Sequence, residues 1–370
     1  MMIKTITCHD VYNVGASLQA FALMRYLSDL GHDVEIIDYK PDYLSGHFDI
    51  FKVNNPRYRG NLALSTAYVL GHMPAKISRM SSKKAFDSFR ERYLHLTEDK
   101  FESNEDLKRK SPLADVFIVG SDQVWNTSFQ NGKDPAFYLD FVKGDAVKAS
   151  YAASFATETI EDQYIEILNK WLGMLDYISV RETSGLDILR KTGISNGVQV
   201  LDPVFLLDSK SWNEMADQRN LGENCVFLYD MDRNKMMADI TKTMAFKNNL
   251  KICSVFKSPC VRKPIERMGP LEFLGYLKNA SFVISNSFHA TAFSLMFQKE
   301  FVVVNRKEKI NTRMRDFLAL LGLSDRLVSE VNDIERLAPI DYKEVSKVIK
   351  EKTELSKEYL NRVLAGRFRD

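Results

Sequence analysis

Hydrophobic and polar positions along this chain switch repeatedly between two periods, and the switches mark its elements. Residues 2 to 7 are mostly apolar or β-branched, a polar run follows from His9 to Ser17, and Leu18, Phe21, Leu23, Leu27 and Leu30 then recur at helical spacing. That pattern predicts strand, loop and helix. Gly31 stops the helix and Val34 to Tyr39 supplies a second strand, so the chain opens as a βαβ unit. Further strands are predicted at Val116 to Val119, Lys148 to Ala152, Tyr177 to Val180 and Val198 to Leu201. After Asp202-Pro203 the alternation restarts with apolar runs at Cys225 to Tyr229, Ile252 to Val255, Phe282 to Ser285 and Phe301 to Val304. Gly269-Pro270-Leu271-Glu272 reads as a helix start, with proline at the first helical position and an acid in the first turn.

The expected fold class is therefore α/β, with two Rossmann-like, doubly wound domains. The first covers residues 1–205, the second residues 206–340, and a charged, periodic C-terminal helix residues 341–370. Two such domains about a cleft resemble the GT-B architecture. Between about 42 and 110 the alternation lapses, and this stretch reads as a helical insertion in the first domain. It carries Lys76, Arg79, Lys83, Lys84, Arg90 and Arg92 beside Met80, Phe86, Phe89 and Tyr93. Such a basic amphipathic stretch suits anionic lipid or a phosphate-bearing acceptor, although a solvated helix face is the commoner outcome.

A chain of 370 residues with 45% hydrophobic positions has ample material for two cores. Lys plus Arg total 51 against 49 Asp plus Glu, and this near balance gives no reason to expect nucleic acid as a partner. The N-terminus lacks the apolar core of a signal peptide and no long uncharged apolar run is present, which predicts a cytoplasmic chain, with at most peripheral contact at the inner face of a membrane. Four cysteines without CxxC pairing, and histidines without ligand spacing, predict neither disulfide nor metal.

In open α/β sheets ligands bind beyond the carboxyl ends of strands. Four strand-to-helix turns here are unusually polar: Asn13 to Ser17, Gly120 to Asn126, Arg181 to Ser184, and Ser285 to Thr291. His289, between an apolar strand and a helix of small residues, is the sharpest candidate. A helix N-terminus there favours an anion such as phosphate or carboxylate, while a capping or core histidine is the blander alternative. Arg181 emerges directly from a strand and could grip a carboxylate or phosphate in a bidentate manner, or equally pair with Glu182 or another acid. Gly120, Ser121 and Asp122 suggest a close-approach turn in which glycine admits a ligand and Asp122 meets a sugar hydroxyl or caps a turn. Trp125 could stack on a sugar ring or simply pack. Asn13 and Gly15 would shape a cleft with backbone amides, with capping by Asn13 or Ser17 as the alternative. Neither GxGxxG nor GxxxxGK[ST] is present. Among the second domain's cations Arg313 stands out.

Taken in order, Thr7 to Ala20, Gly120 to Asn126, Ser179-Val180-Arg181-Glu182, Leu201-Asp202-Pro203-Val204 and Ser285 to His289 resemble the polysaccharide pyruvyl transferase family over nearly the whole chain. The resemblance implies a GT-B-like fold and transfer of a pyruvyl group from phosphoenolpyruvate to two hydroxyls of a sugar, forming a cyclic ketal on a bacterial surface or capsular glycan, whose acceptor could be lipid-linked. It implies no cofactor. It makes His289 the catalytic histidine and Arg181 a donor contact, with Ser287, Phe288, Ala290 and Arg313 near the donor and Asn13, Gly15, Gly120, Ser121, Asp122, Trp125 and Glu182 lining the acceptor side or cleft. Two positions depart from the family pattern. Ser287 stands where an arginine is usual, so donor anchoring there would pass to Arg313 or another cation, and Ala290 replaces a glycine. The alternatives are a GT-B glycosyltransferase using a nucleotide sugar, since fold alone does not separate the chemistries, and a catalytically silent glycan-binding protein.

Overall fold

The computed structural model describes residues 1–45, 64, 66, 80–219, 221–306 and 312–366. Its first sheet takes β1 (Met2–Ile6), β2 (Asp33–Tyr39), β3 (Leu96–Phe101), β4 (Val116–Val119) and β5 (Val147–Ser150) in the order β3-β2-β1-β4-β5. Every pairing in it is parallel, which fits strands buried on both faces. Helix α1 (Val14–Asp29) crosses from β1 to β2. The strand order reverses between β1 and β4, so the loops after these two strands flank a topological switch point.

The range read as an insertion is only partly one. It contains α2 (Met80–Tyr93), but β3 lies within the same range and forms the edge of the first sheet. The charged residues of Leu96–Phe101 are tolerable because an edge strand is wetted, and they hide the strand from a hydrophobicity pattern. Lys76 and Arg79 lie outside the described residues. Lys83 pairs with Asp87 at 2.5 Å and Arg90 with Asp10, so these two cations are engaged within the protein. Ser81 donates to the Glu266 carbonyl at 2.7 Å, tying α2 to the second half of the chain.

Beyond β5, β6 (Ser179–Val180) and β7 (Val198–Gln199) form a short parallel ribbon around α3 (Thr183–Lys191), and bridges from Ala149 to Tyr177 and Ala153 to Val180 join it to β5. The second sheet takes β8 (Cys225–Tyr229), β9 (Lys251–Ser254), β10 (Phe282–Ser285) and β11 (Phe301–Val303) in the parallel order β11-β10-β8-β9. Helix α4 (Pro270–Asn279) begins as its sequence predicts, with Glu272 accepting from the Gly269 amide at 3.1 Å. Helix α5 (Phe288–Met296) follows β10, α6 (Thr312–Leu320) follows β11, and α7 (Tyr342–Ala365) closes the chain. Helix α7 returns to the first half, where Ser356 accepts from the Leu201 amide at 2.9 Å and Tyr359 donates to the Ser150 carbonyl at 2.7 Å. Among the described residues no helix is long and apolar enough to cross a membrane.

The two halves share one apolar seam. Trp212, fully buried, meets Phe21 of α1 at 5.9 Å and Phe293 of α5 at 5.0 Å, both edge to face. This seam fixes α1 against α5, so that the N-termini of the two helices face each other.

Candidate functional site

Helix α1 begins at Asn13, whose side-chain oxygen accepts from the Gly15 and Ala16 amides at 2.9 and 3.2 Å. Capping is thus the observed work of Asn13. Gly15 presses against the imidazole of His289: a Cβ at position 15 would lie 2.0 Å from His289 Nδ1. No side chain fits there, and the contact joins the first turn of α1 to the first turn of α5.

His289 is the second residue of α5, after Ser287, which makes no side-chain cap. Ser287 instead donates its amide to Ser285 Oγ at 2.9 Å, and the helical ladder begins with the Thr291 amide on the Ser287 carbonyl. The amides of Phe288, His289 and Ala290 therefore have no partner within the helix, as at any helix start. The Ala290 methyl is in the core, so position 290 offers only its backbone.

Asp202, from the turn before Pro203, is the hub of the site. Its Oδ2 lies 2.5 Å from Arg181 Nη1, 3.5 Å from His289 Nε2 and 3.4 Å from Ser121 Oγ, and its Oδ1 caps Val204 at 3.1 Å. Burial alone would raise this carboxyl, but His289 and Arg181 outweigh it and hold Asp202 well below the usual carboxylate range. The sequence motif contained Asp202 without a role attached to it. Arg181 pairs with Asp202 and stands 3.5 Å from Asp122, and Glu182 is not its partner. Its guanidinium lies 4.6 Å over the ring of Phe288.

Arg313 brings a second guanidinium to the same place. It lies 3.6 Å from Asp122 Oδ1, and the Gln123 amide, with its oxygen turned to the guanidinium, accepts from both terminal nitrogens at 2.9 and 2.7 Å. Burial first, and the Arg181 charge second, pull Arg313 down to about 10. Gln123 sits in a polar turn that the sequence picks out, but no role attaches to it there.

Four expectations are corrected. Gly120 has a φ of +113° and a Cβ there would meet the Tyr151 carbonyl at 2.4 Å, so glycine is required by the packing of β4 against β5's extension and not by a ligand. Ser121 is buried, giving its amide to Gln19 at 3.0 Å and its hydroxyl to the Ala152 carbonyl at 2.8 Å. Trp125 is wholly buried, donates its indole N–H to the Phe137 carbonyl at 2.9 Å and stacks on Tyr138, so it presents no face to a sugar. Glu182 likewise braces the fold: its Oε1 accepts from Ser154 Oγ and from the amides of Phe155 and Ala156 at 2.9 to 3.0 Å. Burial raises the Glu182 carboxyl despite the nearby Arg181.

The structure therefore brings together His289, Arg181, Phe288, Arg313, Asp122 and Gly15 from both halves of the chain. Arg181 Nε and Asn286 Nδ2 are buried there without a hydrogen-bond partner, and Arg181 Nη2 and His289 Nε2 meet only the carboxylates of Asp122 and Asp202, each at 3.5 Å. An unmet buried donor costs about 1–3 kcal/mol, and several converging donors call for an acceptor, which an anion supplies.

The family model described as polysaccharide pyruvyl transferase matches residues 13–308, well over half of the chain. No curated protein matches. Among solved structures, a candidate UDP-N-acetylglucosamine 2-epimerase from Listeria monocytogenes is similar at a TM-score of 0.52, with 12% identity and coverage of 98% of this chain and 95% of that chain. The UDP-GlcNAc 2-epimerase of Methanocaldococcus jannaschii in complex with UDP-GlcNAc and UDP aligns at 0.49, with 14% identity and 99% coverage of each chain. The Arabidopsis thaliana protein UGT89C1 complexed with UDP-L-rhamnose aligns at 0.48, with 10% identity and 99% and 98% coverage. The Listeria likeness places the fold with GT-B proteins.

Proposed function

This chain belongs to the polysaccharide pyruvyl transferase family, and from that premise we propose that it transfers the pyruvyl group of phosphoenolpyruvate to a sugar diol of a surface or capsular glycan, forming a cyclic ketal. The observation that carries this reading is the convergence of His289, Arg181 and Arg313, with unmet buried donors, where the two sheets' carboxyl ends meet.

Ketal formation moves two protons. One goes to the methylene carbon of the donor, which becomes the methyl group, while a sugar hydroxyl oxygen bonds to the adjacent carbon. Phosphate leaves with the electron pair of its bond to that carbon, the second hydroxyl takes its place, and the last hydroxyl proton ends on phosphate. In this reading His289 carries protons between these centres, because an imidazole has one nitrogen that can give a proton and one that can take it. Asp202 lies 3.5 Å from Nε2, and the lack of a Cβ at Gly15 leaves Nδ1 its place. Arg181, 4.6 Å over the Phe288 ring, and the first amides of α5 would meet the negative charge of the donor.

The test incubates the protein with phosphoenolpyruvate and a panel of hexosides carrying free diols, following phosphate release and the mass of the product. Release of phosphate with a ketal adduct supports the reading; transfer from a nucleotide sugar sinks it. His289→Asn should lower turnover by roughly 10²-fold or more.

A further inference from the structure

We propose that the phosphate of the donor is held by Asn286, Arg306, Arg313 and the first amides of α5, at the carboxyl ends of β10 and β11, leaving Arg181 for the donor's carboxylate. This rests on the phosphoenolpyruvate reading and divides the donor between two sets of cations.

Asn286 is the observation that points to a ligand. It is 4% exposed, its Oδ1 accepts from the Met231 amide at 3.1 Å, and that bond fixes which end of the amide is the nitrogen. Nδ2 is then left buried without a partner. A small cavity lies against it, bounded also by Phe288, Asn305, Arg306 and Arg313. The side chain stands directly before α5, whose opening amides have no helical partner, so amide and helix donors serve one space.

The cations complete the chemistry. Arg306 leaves β11 toward the cavity, with Nε 3.4 Å from Asp232 Oδ1, and Arg313 enters from α6. A phosphate dianion, with three terminal oxygens, accepts from an amide, two planar guanidiniums and backbone N–H groups arriving from different sides. A carboxylate, with a single charge and two oxygens in one plane, uses such a cage poorly. Arg181 offers a different shape: Nη1 is taken by Asp202 at 2.5 Å, and Nε and Nη2, the latter 3.5 Å from Asp122, lie along one edge of its fork, neither with a hydrogen-bond partner. That is the shape of a bidentate carboxylate contact. Binding here sets the phosphate against Asp122, which now stands 3.6 Å from Arg313, so Arg313 exchanges that acid for the donor. The subsite also explains how a chain with Ser287 in place of a cation can hold the donor: the charge comes from the loop after β11 and from α6.

Calorimetric binding to the full chain tests this with three probes: phosphoenolpyruvate, inorganic phosphate and pyruvate. Asn286→Asp keeps the oxygen that holds Met231 and replaces the donor nitrogen by an anion, while Arg306→Gln removes one cation without touching Asn286. Both variants should weaken phosphoenolpyruvate and phosphate by about tenfold or more and leave pyruvate unchanged, the size expected for one charged hydrogen bond. Unchanged phosphate and phosphoenolpyruvate binding in both variants overturns the subsite. Pyruvate weakened as much as phosphoenolpyruvate overturns the division, since the carboxylate would then sit there. A wild-type chain that binds phosphate through these residues but not phosphoenolpyruvate upholds the anion subsite and overturns the donor reading instead.

Discussion

Arg181 Nη1 lies 2.5 Å from Asp202 Oδ2, and neither side chain is more than 2% exposed. Two charges so deeply buried are tolerable only together, because each offsets the other's desolvation. Asp202→Asn keeps the shape and removes the charge, leaving Arg181 with Asp122 at 3.5 Å and His289 without its carboxylate. The expected loss is about 3–5 kcal/mol of stability, read as a lower urea midpoint at unchanged slope. A loss below about 1 kcal/mol, the range of exposed pairs, would mean that water reaches this pair.

The same carboxylate sets a pH dependence. Asp202 is held below its ordinary value, about 3.9 in an unfolded chain, so its contribution is complete above that value and is lost as pH falls through the lower native one. The wild type should therefore lose stability faster than Asp202→Asn as pH drops below about 5, down to the acid transition. Denaturation midpoints at a series of pH values read the difference between the two, which cancels the other carboxylates. Parallel curves would show that Asp202 has the same proton affinity folded and unfolded.

Gly15→Ala separates the helix from the site. Position 15 has helical backbone, where alanine is favoured over glycine by up to about 1 kcal/mol, yet its methyl would stand 2.0 Å from His289 Nδ1. The imidazole must move, and a displacement of about 1 Å in a reacting group costs on the order of 10²-fold in rate. We expect kcat to fall by that order while the circular dichroism spectrum is preserved. Full turnover in the alanine variant would detach His289 from the chemistry.

The four polar turns are legible in the sequence because each follows an apolar strand, and all four contribute a residue to the site. Arg181 and His289 are legible for the same reason. Asp202 is hidden in an Asp-Pro pair, which reads as ordinary turn chemistry, and only the tertiary fold brings Arg181 and His289 to its other oxygen. Asn286 is hidden because an orphaned nitrogen is a property of its surroundings, not of its residue type. Gly120 and Trp125 mislead in the opposite direction. Their polar neighbours suggest a ligand, but the chain beyond β4 folds under Tyr151 and Tyr138, and packing claims both residues.

Trp125 supplies the check on that correction. Its ring is parallel to Tyr138 at a centroid distance of 5.7 Å, and its N–H satisfies the Phe137 carbonyl at 2.9 Å. Trp125→Phe retains an aromatic ring in the stack but strands that carbonyl, which costs about 1–3 kcal/mol when buried. The variant should therefore melt earlier while its acceptor KM stays at the wild-type value at temperatures where both are folded. A sugar platform behaves in the reverse way, because loss of indole area against a pyranose weakens acceptor binding without unfolding the protein. A KM raised several-fold at undiminished stability would return Trp125 to the acceptor site and place an opening beneath the turn that carries Asp122 and Gln123.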